Sequence, residues 1–324
     1  MLTRRSFMVA GGVATLFSRA GRAQQAWPTG PIKVVVPFAP GGGNDNFGRL
    51  VAKQLQDRLG VSAYVENRAG ANGIIGLDSV HRSRPDGYSI ATATTGPLDV
   101  NPWTTKELPY DPAKDFTYLA NMVKFPLFLC VGPQLGVKSL REFLARAKSG
   151  GRPLTYSSAG IGNSTHLAGE VLANMTGTEL MHVPYKGAGP AMVGVIGGEV
   201  DFTFGSGPSA LSFVKAGKVL NLGVTDSRRV PDMPELKTIA EQGVPGYEVT
   251  SWGGIVAPAG LAADARSRLD AVLKEMMDDN EFKKQLMDQG MVPSYMPGPQ
   301  FEAYVGRERT RWGELNRKLN IRTD

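Results

Sequence analysis

The stretch that most limits what this chain can fold into is Val34-Val35-Val36-Pro37-Phe38-Ala39-Pro40-Gly41-Gly42-Gly43-Asn44-Asp45, continued by Phe47-Gly48-Arg49-Leu50. A continuous apolar run ends at a proline and glycine turn, and apolar residues return at Phe47, Leu50, Val51, Leu55 and Leu59. That spacing marks one face of an α-helix, so the order is strand, glycine turn, helix. Asn44 or Asp45 is placed to cap the helix through a short side-chain oxygen. The glycines let the backbone bend close to whatever sits above the strand end, where N–H groups and the helix dipole favour negative charge. The turn is expected to be half of an anion-binding site.

Residues 1–26 read as an export signal. Thr3-Arg4-Arg5-Ser6-Phe7-Met8 opens a basic region, Phe7 to Phe17 is apolar, and Gly21-Arg22-Ala23 supplies small residues around a cleavage point. The Arg-Arg-x-Phe pattern points to the twin-arginine route, and so to a periplasmic destination. The apolar run is far shorter than the ~20 residues that span a bilayer. The segment carries Arg4, Arg5, Arg19 and Arg22 and no acid, so without it the formal charge of +6 falls by four to +2. The remaining charges are interspersed, unlike the lysine-arginine runs of nucleic-acid-binding faces, and no nucleic acid partner is expected.

The chain has a single cysteine, Cys130, inside the apolar run Leu127-Phe128-Leu129-Cys130-Val131. An exported protein without a disulfide depends on its core, and about 300 residues suffice for one. One cysteine and three scattered histidines (His81, His166 and His182) suggest no metal site, and no cofactor is expected. His182, in the strand-like Leu180-Met181-His182-Val183, is expected to be a packed core residue.

Strand-like and helix-like segments alternate almost throughout. After the opening unit come Ala63-Tyr64-Val65-Glu66, a helix near 73–84 and the strand Tyr88–Thr95. A pair of apolar strands is expected at 116–123 and 125–131, and Ser139 with Glu142 forms a capping box for the next helix. A second unit then repeats the first: the strand Leu154–Ser157, the turn Ser158-Ala159-Gly160-Ile161-Gly162, and a helix opening at Asn163-Ser164-Thr165-His166. Strands 180–185, 200–204 and 219–225 follow, with helices near 188–198 and 208–217, and the tail from 262 onward is helical. The alternation means α/β with mainly parallel sheets, and the repeated unit suggests two lobes. Ligands of open α/β sheets lie beyond the carboxyl ends of the strands, which selects loops 38–45, 94–96, 157–164 and 204–207.

Enzyme chemistries fit poorly. A phosphate-binding P-loop needs lysine and a hydroxyl after its glycines, and Gly43 is followed by Asn44. A dinucleotide site is the alternative reading, since Glu66 lies 23 residues after Gly43, near the spacing of a ribose contact. Against that exported oxidoreductase, Gly41-Gly42-Gly43-Asn44-Asp45 does not give G-x-G-x-x-G. Gly-x-Ser-x-Gly is absent, and no nucleophile, base and orienter declare themselves by spacing. No catalytic residue is assigned.

The residues that carry a resemblance are Pro28-x-x-Pro31-Ile32, Val36-Pro37-Phe38-x-Pro40-Gly41-Gly42-Gly43-x-Asp45, Val65-Glu66-Asn67-Arg68-x-Gly70-Ala71 and Pro85-Asp86-Gly87-Tyr88. They continue with Asn101-Pro102, Leu108-Pro109-Tyr110-Asp111-Pro112, His182-Val183-Pro184-Tyr185-Lys186-Gly187, Ser251-Trp252-Gly253-Gly254 and Ala257-Pro258-Ala259-Gly260. Together, over roughly residues 28 to 320, they resemble the tripartite tricarboxylate transporter substrate-binding proteins, the Bug family of periplasmic receptors. The resemblance implies a two-lobed type II periplasmic binding protein fold, of class α/β, with a ligand cleft between the lobes. It implies a monomer that captures a small di-, tri- or aromatic carboxylate and passes it to a tripartite membrane permease. One lobe is expected over 28–124 plus 227–324, the other over 125–226.

The carry-over of site residues follows the family motif. Phe38, Gly42, Gly43, Asn44 and Asp45 match the turn that holds one ligand carboxylate, with Asn44 standing where the family often has threonine. Thr94 and Thr95 match a second contact on the same lobe. Ser158, Ala159, Gly160, Asn163 and Ser164 match the facing segment, and Gly205 and Ser206 close the site. Amino-acid-binding members tend to carry an acid after the Val-Asp-x-x-Phe strand. Here Val200-Asp201-Phe202-Thr203-Phe204 is followed by Gly205-Ser206-Gly207, so the expected ligand lacks an α-amino group, and the glycine is expected to leave extra room in the cleft. Asp45 is expected to be occupied as a helix cap.

Overall fold

The computed structural model describes residues 27–231 and 233–319; the expected export signal lies outside the described residues. The chain opens with β1 (Ile32–Val36), α1 (Gly43–Leu59), β2 (Ala63–Asn67), α2 (Ile74–His81) and β3 (Ser89–Thr94). A π-helical turn (Gly96–Val100) and the short α3 (Asn101–Thr104) lead into β4 (Phe116–Val131). The middle of the chain is α4 (Leu140–Lys148), β5 (Leu154–Ser158), α5 (Ser164–Thr176), β6 (Leu180–Pro184), α6 (Ala188–Ile196), β7 (Phe202–Ser206), α7 (Gly207–Lys215) and β8 (Leu220–Val224). β9 (Thr250–Pro258), α8 (Ala263–Asp278), α9 (Asn280–Met287), β10 (Val292–Pro297) and α10 (Gly298–Leu319) follow.

Two sheets share one strand. The first runs β2-β1-β3-β9-β4 with β10 beside β4, and the second runs β4-β7-β5-β6 with β8 on the other side of β4. β1, β2 and β3 are mutually parallel, as are β5, β6 and β7. The sheets are mixed rather than mainly parallel, because β9 joins β3 antiparallel and β4 joins both β9 and β7 antiparallel. The pair of strands expected over 116–131 is a single strand. β4 pairs with β9 through Pro126 and with β7 from Leu127 onward, so the proline falls where the partner changes and costs no central ladder bond.

The apolar runs that defeat a simple inside–outside alternation are strands covered on both faces. Ile32 and Val34 of β1 pack with Phe47, Val51 and the helices α8 and α9, while Val35 packs on the other face with Leu77, Val80 and Phe301. In the second lobe Leu127, Leu129 and Val131 of β4 face Phe143, Tyr156 and Phe202, while Phe128 and Cys130 face Met192, Val195 and Val224. Cys130 is fully buried and burial alone pushes its thiol up to about 12, which leaves it inert. Helix α10 begins on the first lobe through Phe301 and Val305 and ends with Trp312 in the second-lobe cluster, so it straps both.

The segment after β8 packs with the second lobe: Ile239, Val244, Tyr247 and Val249 lie in one of its clusters and Val230 in the other. Val249 N–H then donates to the Thr225 carbonyl, and Thr250 begins β9 beside β4. Half of the Ser139–Glu142 box forms: Glu142 N–H donates to Ser139 Oγ (3.2 Å), but the Glu142 carboxylate accepts from Lys138 N–H (2.8 Å) rather than from Ser139.

Candidate ligand-binding site

A cavity of about 50 Å³ lies where the two sheets meet. Its first-lobe wall includes Phe38, Gly42, Gly43, Asn44 and Thr94, and its second-lobe wall includes Ala159, Asn163, Ser164 and Ser206. Nine of the fourteen expected residues are thus brought together at one place. Phe125, Leu127, Thr165, Ala188 and Ser251 complete the lining. Every side chain on this wall is uncharged.

The helices aim at the cavity. Helix α1 begins at Gly43 with Gly42 as its N-cap and no side-chain cap, so neither Asn44 nor Asp45 caps it as expected. Helix α5 begins at Ser164 and α7 at Gly207, each one residue from the lining Asn163 and Ser206. Three helix N-termini therefore converge, and each leaves first-turn N–H groups without an intrahelical acceptor. The lobes touch beside them: Gly43 N–H donates to Ser206 Oγ (3.2 Å). A Cβ at Gly43 would stand 3.0 Å from that oxygen and 3.2 Å from the Phe125 ring, so the close approach needs glycine.

Asn44 is the most informative side chain. It is 9 % exposed, and neither atom of its amide has a hydrogen-bond partner. Buried polar atoms are nearly always satisfied, so an unpaired amide on a residue of the cavity wall makes Asn44 a candidate contact for a polar ligand. Asp45 does not line the cavity. Its carboxylate accepts from Gly41 N–H (3.0 Å), Arg49 Nε (3.0 Å) and Asn67 Nδ2 (2.8 Å). Asn67 also donates to the Phe38 carbonyl (3.0 Å) and so bolts the glycine turn to the end of β2. Gly41 holds its bend at φ +88°, a conformation that glycine adopts freely.

The other expected residues sit around the wall. Thr94 and Ser251 share a hydrogen bond between hydroxyls (2.7 Å), and Ser251 Oγ donates to Thr95 Oγ1 (3.1 Å), which leaves Thr95 behind the lining. Ser158 is turned away, its Oγ 2.6 Å from His182 Nε2 and accepting from Gly160 N–H (3.1 Å). Gly160 lines a neighbouring chamber instead. Gly205 faces the interior of its own lobe, since a Cβ there would meet Met192, Ala210 and Ser209. It therefore makes no extra room in the cleft, contrary to the sequence expectation.

Behind Ser158, the imidazoles of His166 and His182 stack at 3.9 Å, and His166 Nδ1 accepts from Gly162 N–H (3.1 Å). These residues are scattered in the sequence and adjacent only in the fold. Burial and the neighbouring His166 pull His182 down to about 3, so it is neutral at ordinary pH. Among the described residues no group of three or more His, Cys, Asp or Glu could hold a metal ion. Glu66, the ribose contact of the dinucleotide alternative, pairs with Lys33 (3.2 Å) on the sheet.

Of the lining residues missed from sequence, Ser251 and Ala188 lie in or beside quoted motifs. Phe125 and Leu127 sit where β4 changes partners, which nothing local reveals. Thr165 is the second residue of α5; its N–H and hydroxyl both donate to Asn163 Oδ1 (3.2 Å each).

The family model described as "Tripartite tricarboxylate transporter family receptor" matches residues 47–321. Among solved structures, the chain is similar to "R. palustris Rpa4515 with adipate", at 32 % identity and TM-score 0.89, over 91 % of this chain and 99 % of that one. It is similar to "periplasmic binding protein BugD" at 31 % identity and TM-score 0.86, over 91 % and 99 % of the two chains. A third structure, MatC from Rhodopseudomonas palustris with bound malate, gives 29 % identity and TM-score 0.81 over 89 % and 99 %. These matches span both lobes and the strands between them, and the chain belongs to the tripartite tricarboxylate transporter receptor family.

Proposed function

We propose that this chain is a periplasmic solute-binding receptor that captures a small carboxylate between its lobes for uptake through a tripartite permease. The observation that carries the reading is the uncharged cavity beneath three helix N-termini, with the unpaired Asn44 amide in its wall. A carboxylate placed there accepts charge-assisted hydrogen bonds from fixed N–H groups without needing a cation. The relatives crystallised with adipate and malate support a carboxylate as the class of ligand. The expected export signal supports a periplasmic location.

The site offers binding groups, and membership of a receptor family supports capture of the ligand. The division we infer is 28–124 with 250–311 for one lobe and 125–249 for the other, α10 spanning both. Rotation would be absorbed at Phe125–Leu127 and Val249–Ser251. Affinity then depends on closure, because groups from both lobes meet only when they approach.

The test is a thermal-shift screen of the mature protein over mono-, di- and tricarboxylates, followed by calorimetry on the hits. A saturable one-to-one carboxylate complex is expected. A stoichiometric nucleotide in the purified protein, or no shift with any carboxylate, would sink the reading.

A further inference from the structure

We propose that a second, larger chamber beside the inner cavity is the tail subsite of the same ligand, and that it takes the distal anionic end of an elongated carboxylate at Lys186. The inference rests on the receptor reading above. The chamber has a volume of about 360 Å³, against about 50 Å³ for the inner cavity. Phe38 and Ala159 line both, one from each lobe, and form the partition between them. On a scale where about 10–15 Å³ admits one water, the inner space takes a carboxylate group and a carbon or two. Any ligand with more carbon atoms must pass that partition.

The walls of the outer chamber are suited to an apolar spacer. Ile74 lies on the first-lobe side, and Ile161, Pro184 and Tyr185 lie on the second. The Tyr185 hydroxyl donates to Glu199 (2.7 Å), so its polar end is already engaged. Asn72 is engaged as well: Nδ2 donates to Asn101 Oδ1 (2.8 Å), and Oδ1 accepts from Asn163 Nδ2 (3.4 Å). One charged side chain remains on the walls of the two cavities together, the exposed Lys186. An apolar passage ending at a single cation matches a dicarboxylate whose two charges are separated by a hydrocarbon chain or ring.

The backbone supports a built wall. Ala71 and Asn72 both hold positive φ, 45° and 48°, a conformation that asparagine tolerates and alanine adopts only at a cost. Such strain persists where surrounding structure enforces it, and it gathers at ligand clamps. Here it places the Asn72 carboxamide between Asn101 of one lobe and Asn163 of the other. This wall is therefore complete only with the lobes together.

Calorimetry on the full mature protein would compare acetate, hexanoate and hexanedioate on wild type, Lys186→Gln, Ile161→Trp and Ile161→Ala. Lys186→Gln should weaken hexanedioate about three- to fivefold, the size of a partly exposed charge pair, and leave hexanoate unchanged. Ile161→Trp, which fills the chamber, should weaken both six-carbon ligands at least tenfold and spare acetate. Ile161→Ala controls for folding and should weaken the six-carbon ligands severalfold. Equal effects of Lys186→Gln on the mono- and dicarboxylate, or six-carbon binding that neither Ile161 variant changes, would overturn the tail subsite. A wild-type protein that binds no carboxylate would instead overturn the receptor reading, and this proposal with it.

Discussion

The turn before α1 and the turn before α5 have the same strand–turn–helix design, yet their polar atoms are used differently. In the second, Asn163 accepts from the Thr165 N–H and hydroxyl, and that hydroxyl accepts in turn from Ala159 N–H (2.8 Å). Ser158 is tied to His182 and Gly160. In the first, Asp45, Arg49 and Asn67 bolt the turn from outside, and Asn44 keeps its whole amide unpaired at the cavity. The second turn is a wall that braces itself. The first is braced from behind, and the amide beside the cavity has no protein partner. The same local design thus satisfies its own polar atoms in one lobe and leaves an amide unpaired in the other.

The largest effect should come from the contact that joins the two turns. Gly43→Leu places carbon against Ser206 and Phe125 and holds the lobes apart. Binding should fall at least a hundredfold while the melting temperature changes little. Small-angle scattering on that variant with saturating ligand should give no contraction, in contrast to wild type.

The next pair separates capture from bracing. Asn44→Ala should lower affinity about tenfold or more and leave stability unchanged or slightly raised, because it removes a buried amide that no protein group satisfies. Asn163→Ala should cost about 0.5–2 kcal/mol of stability through the lost cap, with the smaller effect on binding per unit of stability. Denaturant unfolding beside calorimetry reads both quantities. If Asn44→Ala unfolds the protein while Asn163→Ala spares it, the roles are reversed.

A smaller effect concerns the ammonium group. No carboxylate lines the inner cavity, and Asp45 is fully engaged, so an α-amino group there finds no partner. Succinate should bind more tightly than aspartate, and tighter aspartate binding in calorimetry would contradict the assignment.

The smallest effect is on pH dependence. His182 sits below its ordinary value in the folded state because burial and His166 disfavour its charged form. The unfolded chain then binds more protons, so this group's contribution is complete above about pH 6.5 and is lost as the pH falls from there towards 3. His182→Asn should flatten the decline of the melting temperature between pH 6.5 and 4.5. An unchanged slope would assign the decline in that window to another group, since Asp201 acts only below about pH 5, where its carboxylate begins to protonate in the unfolded chain. Burial opposes it, yet Arg152 (2.7 Å) and Thr155 N–H (2.7 Å) hold that carboxylate below its usual range.

Much of this was readable along the chain where the physics is local. The apolar run, the glycine bend and the 3.6-residue spacing of Phe47, Val51 and Leu55 define β1, the turn and α1 without reference to the rest of the fold. The loops at strand ends lead to nine of the lining residues. What escaped depends on tertiary packing. β9 carries Gly253 and Gly254, which weaken a strand signal, but a Cβ at those positions would strike the rings of Phe125 and Phe301. The aromatic rings lie against the strand, so glycine is required there. The stacking of His166 on His182, and the direction of Gly205, follow from which helix crosses which strand; no periodicity records them.

The first turn, on this reading, holds an anion through dipoles rather than through a cation. The most direct measurement is calorimetry of the tightest carboxylate from the panel against its neutral amide, on wild type and Asn44→Ala. Wild type should bind the carboxylate at least a hundredfold more tightly than the amide, and Asn44→Ala should weaken the carboxylate while the melting temperature holds. Equal binding of carboxylate and amide, or full affinity in Asn44→Ala, would contradict that reading.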